Sequence, residues 1–457
     1  MAQADGQRDA WVGRPLKRRE DHRLLVGAGR YVDDIHPAGC LHVALLRSHH
    51  AHARIARVDV ERARRAPGVV TVVTGAEVSH LGPMPVNRLV ADMRVPPHPI
   101  IADERVHAAG TPVAAVVADS ASAARDAADL IAVEYEALAA LPEPEGAVAA
   151  GAPALFPDID GNRSFTRVLR QGDAAKGMSA SAHVAVVRVA SPRIAGVAME
   201  PRAVLAAFDA STEELTLWVS CQAPFRIRAE VARLLGLAES RVRVIAPDVG
   251  GGFGVKSGPY REEILLAWLA VKLGRPIKWI ATRGEDQITT NHSRGSACDA
   301  ELGVDADGHI TGLRARITSP LGTALMNGAA GPPWNHARLL PGCYVVPACD
   351  ISVTGALTTT TPVAAYRGAG RPEATYVIER LMDEAARGLG LDPAEIRRRN
   401  FIATGAFPYR TATGQVYDSG DYRLALDKAL ENEQTFPSLL SSLEAYKPEP
   451  RPDLEQD

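Results

Sequence analysis

The chain has 457 residues, 46% of them apolar and 23% charged, a balance that excludes a disordered chain or a coiled coil and predicts about two to four globular domains. Its formal net charge of −3 supplies no basic field for nucleic acid or an anionic membrane, and 5% aromatic residues is thin for base stacking. The 5 cysteines (Cys40, Cys221, Cys298, Cys343, Cys349), odd in number and without a CxxC, argue against a disulfide framework and fit neither a structural zinc nor an iron–sulfur spacing.

The opening MAQADGQRDAWVGRPLKRRED is polar throughout, so no signal peptide is read there and a reduced, cytoplasmic protein is expected. Residues 11–141 predict a compact α+β unit with one core. Residues 68–73, β-branched and bracketed by Pro67 and Gly75, read as a buried strand, and 112–117 as another. Asp119 or Ser120 is placed to cap a helix running to Ile131, and 132–136 alternates as a half-buried strand. A Pro-, Gly- and Ala-rich linker is expected over 142–164.

A second segment spans 165–430. Residues 184–189, 215–219 and 242–245 read as strands, and 223–235 as a helix stopped by Gly236. Residues 259–273 form a strongly apolar helix ended by Gly274 and Pro276, and 373–387 another. Asp392-Pro393-Ala394-Glu395 is a capped helix start. The uncharged run 317–337, with Pro320, Gly322, Gly328, Gly331, Pro332 and Pro333, reads as an irregular loop and not a membrane span. The tail 431–457 carries Pro448, Pro450 and Pro452 among charges and is expected to be partly disordered.

Three motifs carry chemistry. Val249-Gly250-Gly251-Gly252-Phe253-Gly254-Val255-Lys256-Ser257 lies between a strand and a helix. Serial glycines let main chain approach a ligand and present N–H groups, and the helix start favours anions. It is neither a Walker A loop nor a dinucleotide fingerprint, and taken alone it also reads as a tight turn packing strand on helix. Ala365-Tyr366-Arg367-Gly368-Ala369-Gly370-Arg371-Pro372-Glu373 suits an anionic or oxo-rich ligand, or else is a loop whose arginines pair with Glu373 or solvent. Gln222, in Ser220-Cys221-Gln222-Ala223-Pro224, either offers its amide to a ligand oxygen or simply begins a helix. His49, His50 and His52 are expected as satisfied edge histidines. Of Glu262 and Glu263, about 100° apart on a helix, one is expected to face solvent.

The first segment also contains Gly13-Arg14-Pro15, Gly27-Ala28-Gly29-Arg30-Tyr31-Val32-Asp33-Asp34, Arg47-Ser48-His49-His50-Ala51-His52-Ala53 and Ala66-Pro67-Gly68-Val69. The second contains Met199-Glu200-Pro201-Arg202, the three motifs above, Asp383-Glu384 and Asp392-Pro393-Ala394-Glu395-Ile396-Arg397-Arg398-Arg399-Asn400. In this order they resemble the large, molybdenum-cofactor subunit of the xanthine dehydrogenase/aldehyde oxidase family, from about Gly13 to Leu430.

The resemblance implies an α+β fold: an α/β hammerhead domain over 11–141, then a mixed α+β molybdopterin-binding domain over 165–430. It implies a molybdenum pyranopterin (molybdopterin or its cytosine dinucleotide form) whose dithiolene, and no protein side chain, holds the metal. By resemblance, Gln222 is the Gln whose amide bonds the apical oxygen on the metal. Gly252, Phe253 and Gly254 are the loop against the cofactor, and Arg367 and Gly368 the loop whose backbone meets the metal's oxygen ligands. Ser257 and Ala369 fall in the substrate pocket, where xanthine-oxidising members carry a Glu and an aromatic, which disfavours purine oxidation of that type. Gly368 stands where copper-containing, CO-oxidising members carry Cys.

The family's catalytic Glu lies in a Gly-Glu loop of a second molybdopterin-binding domain. No such loop follows Asn400, so no residue here is assigned as catalytic, and a second chain is expected to supply that half. The implied activity is hydroxylation of a small-molecule aldehyde or N-heterocycle with oxygen from water. FAD and 2Fe–2S clusters are expected only on partner subunits, with no nucleic-acid or membrane partner. The alternative is a non-catalytic remnant or interaction protein of the same fold.

Overall fold

Pro112–Ala118 is an unbroken apolar run, and all seven of its residues are buried in the interior of a sheet. In this computed structural model, which describes residues 14–326 and 328–431, that strand lies between Leu41–Arg47 and the edge strand Val69–Thr74. The tail read as divergent, from residue 432 onward, lies outside the described residues, as do residues 1–13. The sheet has seven strands, in the order Val242–Ile245, Glu214–Val219, Ala203–Asp209, Ile277–Ile280, Leu41–Arg47, Pro112–Ala118, Val69–Thr74. In this edge strand a register shift between Val69 and Thr71 leaves Val70 exposed, while Val72 and Val73 are buried in clusters on opposite faces, so 68–73 is a half-buried strand and not a fully buried one.

The first segment does not close on one core of its own; part of its interior is shared with the second segment. Leu41 and His42 pair in parallel with Ile277 and Lys278 of the second segment. Leu41, Val43, Ile100 and Val117 share one cluster with Leu215, Ile227, Leu265 and Trp279. Two smaller clusters, around Val116 with Ala127 and around Ile55 with Val113, are local to the first segment. The expected single core is therefore corrected. Alternation marks a strand, but nothing local says which distant strand it pairs with. Ser120 caps the following helix, Ala121–Ala128, by accepting from the Ala123 N–H.

A five-stranded sheet, ordered Arg163–Gln171, Cys349–Leu357, Ile310–Gly322, Ala297–Val304, His183–Ala190, forms the second body. Its core includes Leu313, Ile317 and Val353 with Val377, Leu381 and Ala385 of the helix Arg371–Leu389. Of residues 317–337, expected as a loop, 317–322 instead finish the long strand Ile310–Gly322 and 331–337 form most of the helix Gly331–Arg338, while 323–326 and 328–330 between them are irregular as expected. Pro320 sits beside a register shift, and Pro332 and Pro333 occupy the first helical turn, where a missing N–H costs no bond. The stretch 142–164 packs into this core through Leu155, Phe156 and Ile159. Among the described residues no helix is long and apolar enough to cross a membrane.

Candidate functional site

The strand Glu214–Val219 hands over to the helix Pro224–Leu235 through a bend that carries Gln222. The Gln222 N–H donates to the Lys256 carbonyl at 2.9 Å. Its side-chain Oε1 accepts the Gly254 N–H at 2.8 Å, which leaves the Nε2 donor on an exposed residue. Gly252 is bare because a Cβ there would run into the Gln222 side chain. Gly254 has φ +96°, and a Cβ would lie 3.0 Å from the Ala365 carbonyl oxygen. The Arg367 N–H donates to the Phe253 carbonyl at 2.8 Å. Gln222, the glycine loop and the arginine loop, separated by up to 145 residues (367 − 222), therefore meet edge to edge. Gln222, Phe253, Arg367 and Gly368 are all exposed on this face.

Ser257 and Ala369 flank this line. The Ser257 hydroxyl donates to the Gly254 carbonyl at 2.6 Å, and Arg226 holds the Ser257 carbonyl at 3.0 Å. Ala369 takes φ +44°, and its carbonyl accepts from Asn335 Nδ2 at 2.8 Å. Arg367 and Arg371 do not pair with Glu373. That carboxylate is buried and lies 3.7 Å from Arg294 instead.

The residues beneath the loops are those sequence reading did not single out as site residues. Lys256, 3% exposed, donates to the Glu200 carbonyl and the Ser220 hydroxyl, each at 2.7 Å, with the Glu200 carboxylate at 3.4 Å. Burial pulls its ammonium pKa down, opposed by Glu200. Glu200 also accepts from the Gly250 N–H at 2.8 Å and from Ser220 at 2.6 Å, so one carboxylate anchors the start of the glycine loop and the strand end before Gln222. Arg294 holds the carbonyls of Tyr366 and Arg367.

Glu262 and Glu263 are both buried, against the expectation that one faces solvent. Glu262 is clamped by Arg47 at 2.7 Å and Arg202 at 2.9 Å. Burial alone would raise its carboxyl pKa, but the two guanidinium groups more than offset it and hold it well below the usual range. Glu263 accepts the Tyr260 N–H as a helix cap, and burial pushes its carboxyl up to about 8. Beside Gln222, burial pushes the Cys221 thiol up to about 12. His49 and His50 pack against Tyr135, while His52 Nδ1 bonds the Ala139 carbonyl at 2.7 Å.

Comparison with known proteins identifies the family of the chain. Residues 156–401 match the family described as "Molybdopterin cofactor-binding domain", and residues 26–139 match "Aldehyde oxidase and xanthine dehydrogenase, a/b hammerhead domain". The chain belongs to the xanthine dehydrogenase/aldehyde oxidase family. It is 36% identical over 440 residues to the 6-hydroxypseudooxynicotine dehydrogenase complex subunit gamma of Paenarthrobacter nicotinovorans, covering 93% of this chain and 55% of that protein. It is 36% identical over 431 residues to the carbon monoxide dehydrogenase large chain of Hydrogenophaga pseudoflava, covering 90% and 53%. Quinoline 2-oxidoreductase from Pseudomonas putida 86 superposes with a TM-score of 0.88 at 34% identity, covering 94% of this chain and 55% of that one. The chain spans about half the length of the curated relatives it matches.

The cofactor of this xanthine dehydrogenase/aldehyde oxidase domain is a molybdenum pyranopterin. The exposed face suits such a group. It offers N–H donors and bare main chain rather than acidic or thiolate ligands, as an electronegative group that carries its own metal ligands requires.

Proposed function

We propose that Gln222, Gly252–Gly254 and Arg367–Gly368 form one face of the molybdenum pyranopterin site of a multi-subunit hydroxylase acting on an aldehyde or N-heterocycle. The observation that carries this reading is the hydrogen-bonded contact of the three loops on an exposed surface. When bound, the cofactor supplies a redox centre able to transfer oxygen from water to carbon and take up two electrons.

Within this chain, Gln222 Oε1 is committed to the Gly254 N–H, which orients Nε2 as a donor at the exposed face. Gly252 and Gly254 keep side chains out of that approach. Phe253 holds φ +51° and is 44% exposed, so the ring is available as an apolar wall. Ser257, bonded to the Gly254 carbonyl, braces the loop, and Ala369 leaves the substrate side small. Gly368 offers no thiolate for copper, and a Cβ there would lie 2.7 Å from Pro372.

An exposed face needs an opposite wall. Further polypeptide, continuous with this chain or separate, would supply that wall and the proton-accepting Glu. An iron–sulfur subunit and an FAD subunit would carry electrons away, in a cytoplasmic complex. The test is to assemble the chain with polypeptides of these kinds, measure molybdenum and pterin, and assay aldehydes and N-heterocycles with an artificial electron acceptor. Metal uptake and turnover by the assembly, with neither from the lone chain, is expected. Substantial dehydrogenase activity from the lone chain contradicts the shared site, and an assembly devoid of molybdenum favours a non-catalytic remnant.

A further inference from the structure

We infer that Arg294 is a positioning residue whose guanidinium grips two successive carbonyls of the arginine loop and so aims the Gly368 N–H at the face where Gln222 and the glycine loop converge. What that N–H meets rests on the cofactor reading above; the grip itself does not.

Arg294 Nη1 donates to the Tyr366 carbonyl at 3.2 Å and Nη2 to the Arg367 carbonyl at 2.7 Å. A trans peptide holds its C=O and N–H antiparallel. Two carbonyls turned toward Arg294 therefore turn the N–H groups of Arg367 and Gly368 away from it. The first of these is bonded to the Phe253 carbonyl, which fixes the direction as that of the glycine loop. The second, turned the same way, has no acceptor among the described residues. Successive N–H groups on one side make a concavity that attracts negative charge.

The strain at Arg294 supports a dedicated role. It adopts φ +66°, a conformation that a branched or long side chain keeps only where surrounding contacts over-determine it. Its side chain is 9% exposed, and the Glu373 carboxylate at 3.7 Å balances its charge without taking a hydrogen bond from the fork. A planar fork reaches two acceptors at once, which a lysine ammonium on a flexible stem does not match. The conspicuous Arg367 points its own side chain to solvent, so the residue that shapes the loop comes from 73 positions earlier in the sequence (367 − 294).

The full chain without cofactor carries the test. Arg294→Gly suits the positive φ and removes the grip, and Arg294→Lys keeps the charge beside Glu373 without the fork. Backbone amide exchange in a peptide spanning 364–371 is expected to speed by about tenfold or more in both variants, well beyond any change in other peptides, and Arg294→Lys, which keeps a cation beside Glu373, is expected to hold the thermal midpoint near wild type. Millimolar guanidinium is expected to restore protection in Arg294→Gly. Wild-type rates in Arg294→Lys, acceleration spread evenly over the chain, or no response of Arg294→Gly to guanidinium overturns the inference. If the loop responds as expected but the wild-type assembly takes up no molybdenum, the grip stands and the proposed function falls.

Discussion

Phe253, Arg294 and Ala369 hold positive φ without being glycine, and all three lie in or directly beneath the contact between the two loops. Each costs about 1–3 kcal/mol and persists only where neighbours enforce it. Gly254, at φ +96° against the Ala365 carbonyl, is the hinge of the same contact. Gly254→Val is expected to lose about 1–3 kcal/mol of stability in urea unfolding and to lower molybdenum uptake by the assembly; full uptake would contradict the close fit. At this scale the sequence was legible where chemistry shows in composition: a run of glycines, a Gln at a strand end, paired arginines. Arg294, Glu200 and Lys256 were not recognised as supports. A positive φ at a non-glycine residue leaves no sequence signature, and the Glu200–Lys256 bond joins residues 56 apart.

The helix Arg261–Leu273 carries Glu262 and Glu263 into the interior. Glu262→Gln leaves Arg47 and Arg202 without their shared carboxylate, and a loss of about 3–5 kcal/mol is expected in urea unfolding. Glu263, whose folded carboxyl titrates at about 8 and unfolded one near 4.5, binds more protons folded than unfolded between those values. Its contribution therefore lowers stability as pH rises through that window, and Glu263→Gln should remove that slope. His336, on the helix Gly331–Arg338, is pulled by burial to about 4 from 6.5, with neither ring nitrogen bonded. It binds fewer protons folded, so it lowers stability as pH falls from 6.5 toward 4, and His336→Leu should flatten the acid limb. Unfolding midpoints of both variants at pH 5 and pH 7.5 check the two opposite signs. Helix ends were readable from caps such as Asp392, which accepts from two backbone N–H groups. The helix Gly331–Arg338 was not, because prolines in a first turn look like prolines in a loop.

Over the whole molecule, the two segments matched by separate families share one seven-stranded sheet. Leu41–Arg47 sits between Pro112–Ala118 and Ile277–Ile280, and its core neighbours come from both sides. Residues 14–141 expressed alone should expose an unpaired strand and half a core; broad, non-cooperative unfolding with dye-accessible apolar surface is expected, and a sharp two-state transition would contradict it. The sequence announced both segments but not their fusion, since strand order is a property of distant pairings. The central claim is that three loops drawn from this scaffold face a molybdenum pyranopterin. Hydrogen exchange of the assembled complex, compared with and without the cofactor, tests it most directly. Slowed exchange in peptides covering 220–223, 250–254 and 366–369 is predicted, with the five-stranded sheet unchanged. Unaltered exchange in these loops on cofactor loading, with protection arising elsewhere, would contradict it.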